Sequence, residues 1–168
     1  MEFDLKPLST EAVPRALEKA VRYRLLNEPG EAASICRDVL LAEPDNHDAR
    51  VTLLLAMTDQ FESEGMAAIA EAWRAAEGID DEYERAYYMG VIGERRAKAE
   101  LRRHVPAAEA HAYEWLREAM TWYERAEAIR PAGNDDALLR WNACARLIME
   151  NPRLEPAAEA REEPLLLE

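Results

Sequence analysis

The chain has 168 residues, enough for one domain with a core of its own. Its net charge of -13 sets up a field that works against a broad nucleic-acid surface. Two phenylalanines and few β-branched residues argue against a large sheet. No apolar run approaches the ~20 residues of a membrane span. The start, Met1-Glu2-Phe3-Asp4, lacks the basic and apolar regions of a signal peptide, so a cytoplasmic protein is expected.

Residues 1–12 read as a lead-in. Ser9 and Thr10 are candidate caps, and Pro14 fits a first helical turn beginning near Val13. Ala16, Leu17, Ala20, Val21 and Tyr23 then fall at helical spacing up to about Asn27. Asn27-Glu28-Pro29-Gly30 reads as a turn. A second helix is predicted from Glu31 to Glu43, with Ala32, Ile35, Cys36 and Val39 on one face and Pro44 as its stop.

Asp45 or Asn46 should cap a third helix, with Ala49, Leu53, Ala56 and Met57 as its stripe and an end near Phe61. A fourth helix, Met66 to Glu77, should carry Ile69, Ala70 and Trp73 inward and stop at a left-handed Gly78. Asp81 and Glu84 have capping-box spacing at the start of a long fifth helix, about Glu82 to Arg103. Gly90 and Gly93 each cost ~1 kcal/mol relative to Ala there. Close backbone approach to a neighbouring helix explains them better than a nucleotide loop, because no strand and no P-loop lysine accompany them. His104-Val105-Pro106 makes a corner. A sixth helix, about Ala107 to Arg130, places Trp115, Ala119, Trp122, Ala126 and Ile129 on one stripe. A seventh, capped by Asn134 or Asp135, runs to about Glu150 with Leu138, Trp141, Ala145 and Ile148 inward. Residues 13–150 thus form the helical domain, and 151–168 an acidic tail.

The second and sixth predicted helices share a spacing: Ala32, Cys36, Val39, Pro44 in one, and Ala119, Tyr123, Ala126, Pro131 in the other. This pattern resembles the second helix of a tetratricopeptide repeat, in which a small residue lets two helices cross closely and proline ends the unit. Ala20 with Tyr23, and Met89 with Gly90, match residues of that family's first helix. The resemblance covers roughly Val13 to Glu150. It implies an all-α, right-handed α-α superhelix of about three such hairpins plus a closing helix, with a concave groove lined by first helices. The unit from His47 to Ile79 keeps few signature residues, and that from Tyr83 to Pro131 spans roughly 49 residues against the ~34 of a standard repeat. Members that bind chaperones clamp a C-terminal carboxylate with Lys and Asn. The matching places here include Leu17, Val21, Val51 and Leu55, so that clamp is not implied.

By resemblance the chain is expected to be a non-catalytic module that binds a peptide or helical segment of a protein. Leu17, Val21, Val51, Leu55 and Val91 would supply apolar contacts, and Tyr87, Arg95 and Arg140 polar selection. Assembly of copies through the long third hairpin is one alternative, and an enzyme with a site in the groove is another. No cofactor is expected. His47, His104 and His111 lie in three segments without metal-ligand spacing, and Cys36 and Cys144 read as buried free thiols. The basic run Arg95, Arg96, Lys98, Arg102, Arg103 reads first as a solvated face with Glu94–Lys98 and Arg96–Glu100 pairs, and second as a docking patch for an acidic segment. The tail carries Glu155, Glu159, Glu162 and Glu163 and then Leu165-Leu166-Leu167, so docking of the tail on its own groove is a further expectation beside a loose terminus.

Overall fold

A computed structural model describes residues 3–103 and 107–156. Among them are eight α-helices and no strand: α1 (Val13–Leu25), α2 (Pro29–Ala42), α3 (His47–Thr58), α4 (Phe61–Glu64), α5 (Met66–Glu77), α6 (Glu82–Arg102), α7 (Ala108–Ala128) and α8 (Asp136–Glu150). A single 3-10 turn, Thr10–Ala12, precedes α1. No helix among the described residues is long and apolar enough to cross a membrane.

Local chemistry sets the helix starts. Asn46 Oδ1 accepts from Ala49 N at 2.9 Å, and Asp81 Oδ1 from Glu84 N at 2.8 Å, so each satisfies one otherwise orphaned donor. Pro29 opens α2, so Pro29-Gly30 belongs to the helix rather than to the expected turn. Proline has no N–H to leave unpaired in a first turn, and the reversal falls on Asn27, with φ 61°. Gly78 has φ -81° and is not the left-handed stop that its position suggests. Its missing side chain makes room for Arg50 instead: the guanidinium donates to the Gly78 carbonyl, and a Cβ would lie 2.8 Å from Arg50 Nη1. The third helix ends three residues early, and Phe61–Glu64 forms its own turn with Phe61 buried.

Packing runs in chain order. α1 lies on α2, α2 on α3, α3 on α5, α5 on α6, α6 on α7 and α7 on α8, while α3 also touches α1 and α6. Alanine dominates the first interfaces, with Ala20, Ala32, Ala33, Ala56, Ala72 and Ala76 buried. It lets helices approach closely and loses no side-chain entropy on burial. Arg37 braces α2 against α5 with two bonds to Glu71, at 2.8 and 2.7 Å.

The α6–α7 contact is the most intimate. A Cβ on Gly90 would overlap the Tyr123 ring, and one on Gly93 would lie 3.2 Å from the Ala119 Cβ. The close approach expected of these glycines is present, and its partners are Tyr123 and Ala119. The buried stripe of α7 is Ala112, Leu116, Ala119, Met120, Tyr123 and Ala126. Trp115 and Trp122 sit at its edge under Arg96 and Arg125, and Ile129 is 46% exposed, past the helix end. Ala70 also faces outward, because Ile69, Ala72 and Ala76 already fill the inner face of α5. On α8 only Ala137 and Cys144 are fully buried; Leu138, Trp141, Ala145 and Ile148 are half-buried. The corner expected at residues 104–106 lies outside the described residues.

Candidate functional site

One face of the molecule is built by α1, α3 and α6, with α8 contributing Arg140. It holds two cavities, one at each end of the three helices. The residue period of an α-helix explains the arrangement. Leu17, Val21 and Arg24 follow one another along α1, as do Val51, Leu55 and Thr58 along α3, and Tyr88, Arg95 and Arg102 along α6.

The first cavity, about 460 Å³, is charged. Arg24, Arg95, Lys98, Arg102 and Arg140 line it together with Asp59, Glu62 and Glu94. Asp59 is shared by two arginines: Arg24 Nε donates to Oδ2 at 2.8 Å, and Arg95 pairs with Oδ1. Arg95 also donates to Thr58 Oγ1 at 2.9 Å. Arg102 pairs with Glu62.

Glu94 is shared by Lys98, at 2.6 Å, and by Arg140, whose Nη1 lies 3.2 and 3.3 Å from the two oxygens. Its second oxygen also accepts from the Tyr123 hydroxyl at 2.7 Å. Glu94 is 1% exposed. Burial alone would raise its pKa. The bonds from Lys98 and Tyr123 and the charges of Lys98 and Arg140 outweigh that and hold it below the ordinary 4.5. Tyr123 shifts the other way: burial and the Glu94 charge push its phenol far above its usual value. Arg140 pays for burial but is kept firmly protonated by Glu94. The net result is a cavity with two cations per carboxylate at both Asp59 and Glu94, inside a chain of net charge -13.

The second cavity, about 1010 Å³, is mixed. Leu17, Val21 and Val51 present apolar surface beside Tyr88, with Val13 at its base. His47 and Glu84 meet across it, with Nε2 to Oε2 at 3.0 Å. Burial, with the charge of Glu84 adding, pushes the Tyr88 phenol up to about 12, so its hydroxyl remains a donor.

The predicted site residues divide between these ends. Leu17, Val21 and Val51 line the apolar cavity, and Arg95 and Arg140 the charged one. Leu55 lies between them, packed against both main core clusters. Val91 was expected on the groove but is 1% exposed. It belongs to a core cluster shared with residues of α7 and α8. Tyr87 is half-buried in an aromatic group, 5.2 Å from Tyr88, 6.0 Å from Tyr123 and 6.2 Å from Tyr83, so it serves packing as much as surface.

The basic run also resolves differently from its local reading. Glu94–Lys98 forms, but Glu100 pairs with Arg103 at 3.5 Å. Arg96 instead lies 3.6 Å over the Trp115 ring with its Nε buried and unbonded, and burial lowers its pKa. Sequence reasoning missed Arg24, Asp59, Glu62 and Tyr88 as groove residues and took Glu94 for a surface partner. Its position one turn after Gly90, on a run bounded by Gly93 and Ala97, is the signal that marks it as buried.

Cys36 and Cys144 are buried and free, and burial pushes both thiols up to about 12. No group of three or more His, Cys, Asp or Glu side chains among the described residues could hold a metal ion. No family model matches the chain, and neither a curated protein nor a solved structure matches it.

Proposed function

We propose that the chain is a non-catalytic binding module that takes a protein segment along the face of α1, α3 and α6. In this reading it is a right-handed α-α superhelix of about three tetratricopeptide-like hairpins, with α8 as the closing helix. The chain-order packing, the α1–α3 and α3–α6 contacts and the small residues at the crossings support that architecture. Two buried free thiols suit a reducing compartment such as the cytoplasm.

The observation that carries the functional reading is the two-part groove. One end offers apolar side chains, and the other offers arginines and a lysine in excess of their carboxylates. Such a face fits a segment with an acidic part and an apolar part in a fixed order. Selection from a displayed random-peptide library against the intact chain tests it. Enriched peptides should join acidic to apolar residues. Arg102→Glu and Val21→Ser, at opposite ends, should each weaken them by about tenfold, or ~1.4 kcal/mol. Peptides of no common composition, or binding indifferent to both variants, would refute the reading.

A further inference from the structure

The groove has a direction, and the chain leaves the helical body at one end of it. The charged cavity lies at the C-terminal turns of α6, around Arg95, Lys98 and Arg102; the apolar cavity lies at its N-terminal turns, around Tyr88. After α8, Leu154 is buried in the cluster shared by α6, α7 and α8, and Arg153 Nη1 comes 3.6 Å from Glu109 on the first turn of α7. That turn follows the end of α6 by only a few residues. The exit therefore sits at the charged end.

Residues 157–168 lie outside the described residues and read Ala-Ala-Glu-Ala-Arg-Glu-Glu-Pro-Leu-Leu-Leu-Glu. A strand entering from the exit meets the cations first and the apolar surface second. The tail has its acidic pair first, Glu162-Glu163, and its apolar triplet second, Leu165-Leu166-Leu167. From Pro156 to Glu162 an extended chain reaches about 20 Å, at ~3.3–3.6 Å per residue. From Lys98 back to Tyr88, α6 covers about 15 Å at ~1.5 Å per residue. An extended stretch of four to five residues spans that distance, about the separation of Glu162 from Leu166. Pro164 disfavours a helical conformation at the residue before it and carries no backbone N–H.

We propose that residues 162–167 dock in the groove of their own chain, with the carboxylates of Glu162 and Glu163 at the cationic end and the leucines against Val21, Val51 and Tyr88. The inference rests on the groove reading above and deepens it. The tail supplies its own segment at an effective concentration of order mM, so an outside segment binds only by displacing it. That segment needs the same order of acidic then apolar residues.

The test uses the full chain carrying Glu168→Cys. Because Cys36 and Cys144 are buried, a nitroxide goes to the new thiol. Paramagnetic broadening should reach the amides of Val21 and Val51 and be weaker at the first turn of α7, at the opposite end of α6 from Tyr88. Adding Glu162→Lys with Glu163→Lys should restore all intensities and tighten library-selected peptides several-fold. Undiminished signals at Val21 and Val51 in the labelled chain would overturn the proposal. So would broadening carried by unlabelled-isotope copies onto isotope-labelled ones, which would place the tail on a second molecule. If selected peptides still bind and still respond to Arg102→Glu, only the tail proposal fails. If they do not bind either, the groove reading fails with it.

Discussion

The two ends of the groove are made by the same three helices and are held by different forces. At the apolar end Val21 is exposed, Leu17 and Val51 are half-buried against core clusters, and the His47–Glu84 pair is the tie between helices described there. At the charged end nearly every side chain is committed. Asp59 ties α1 to α6, Glu62 ties α4 to α6, and Glu94 ties α6 to α7 and α8. A carboxylate buried to 1% exposure cannot lose its donors without leaving a charge stranded away from water. Polar ties between helices are therefore concentrated at the charged end, while the apolar end is held by side-chain packing.

The strongest way to break this contrast is Glu94→Ala. It leaves the Tyr123 hydroxyl and two cations without their acceptor, and should cost about 3 kcal/mol in urea unfolding. The same group sets an acid limb. Its folded pKa is depressed below the ordinary 4.5, so its contribution is complete above that pH and is lost as pH falls through the folded value. Glu94→Gln should flatten that limb as pH falls below 4.5; an unchanged slope would show that the carboxylate is not held as described.

A smaller effect reaches the same carboxylate from behind. Gly90→Ala forces the Tyr123 ring to move and its hydroxyl with it, at a cost of about 2 kcal/mol. Combined with Glu94→Ala, the two costs should fall short of additivity by more than about 0.5 kcal/mol, since both act through one contact. Simple additivity would separate the ring from the charge cluster.

The smallest expected effect sharpens the contrast from the other end. Val21 is 45% exposed, so Val21→Ser should shift stability by less than about 0.5 kcal/mol while the binding of selected peptides falls. A large loss of stability would show that the apolar end is also structural.

What could be read beforehand follows the same division. Helix starts at Asn46 and Asp81, the crossing glycines of α6 and the apolar groove residues of α1 and α3 are signalled within a turn or two of sequence. The charged end is not. Arg24 and Asp59 are 35 residues apart, and Glu94 and Arg140 are 46. No local period links such pairs, and in so acidic a chain carboxylates offer many partners of equal plausibility. Val91 shows the opposite error: an apolar residue one turn from Tyr87 reads equally as groove or core, and only the tertiary packing around α6 decides it. Gly78 was legible as a break but not as a seat for Arg50, because the arginine comes 28 residues earlier.

The chain-order packing of the helices also governs how the molecule comes apart. Because each helix lies chiefly on its sequence neighbours, most contacts close short loops, and topologies of this kind fold in microseconds to milliseconds. The stack can also shed an end without opening its middle. Amides of α1 should exchange with solvent ahead of those in the central turns of α6, which are covered by α3 and α5 on one side and α7 on the other. Fraying at that first helix removes Leu17, Val21 and Arg24 together, so one local opening would take down a wall of both cavities at once.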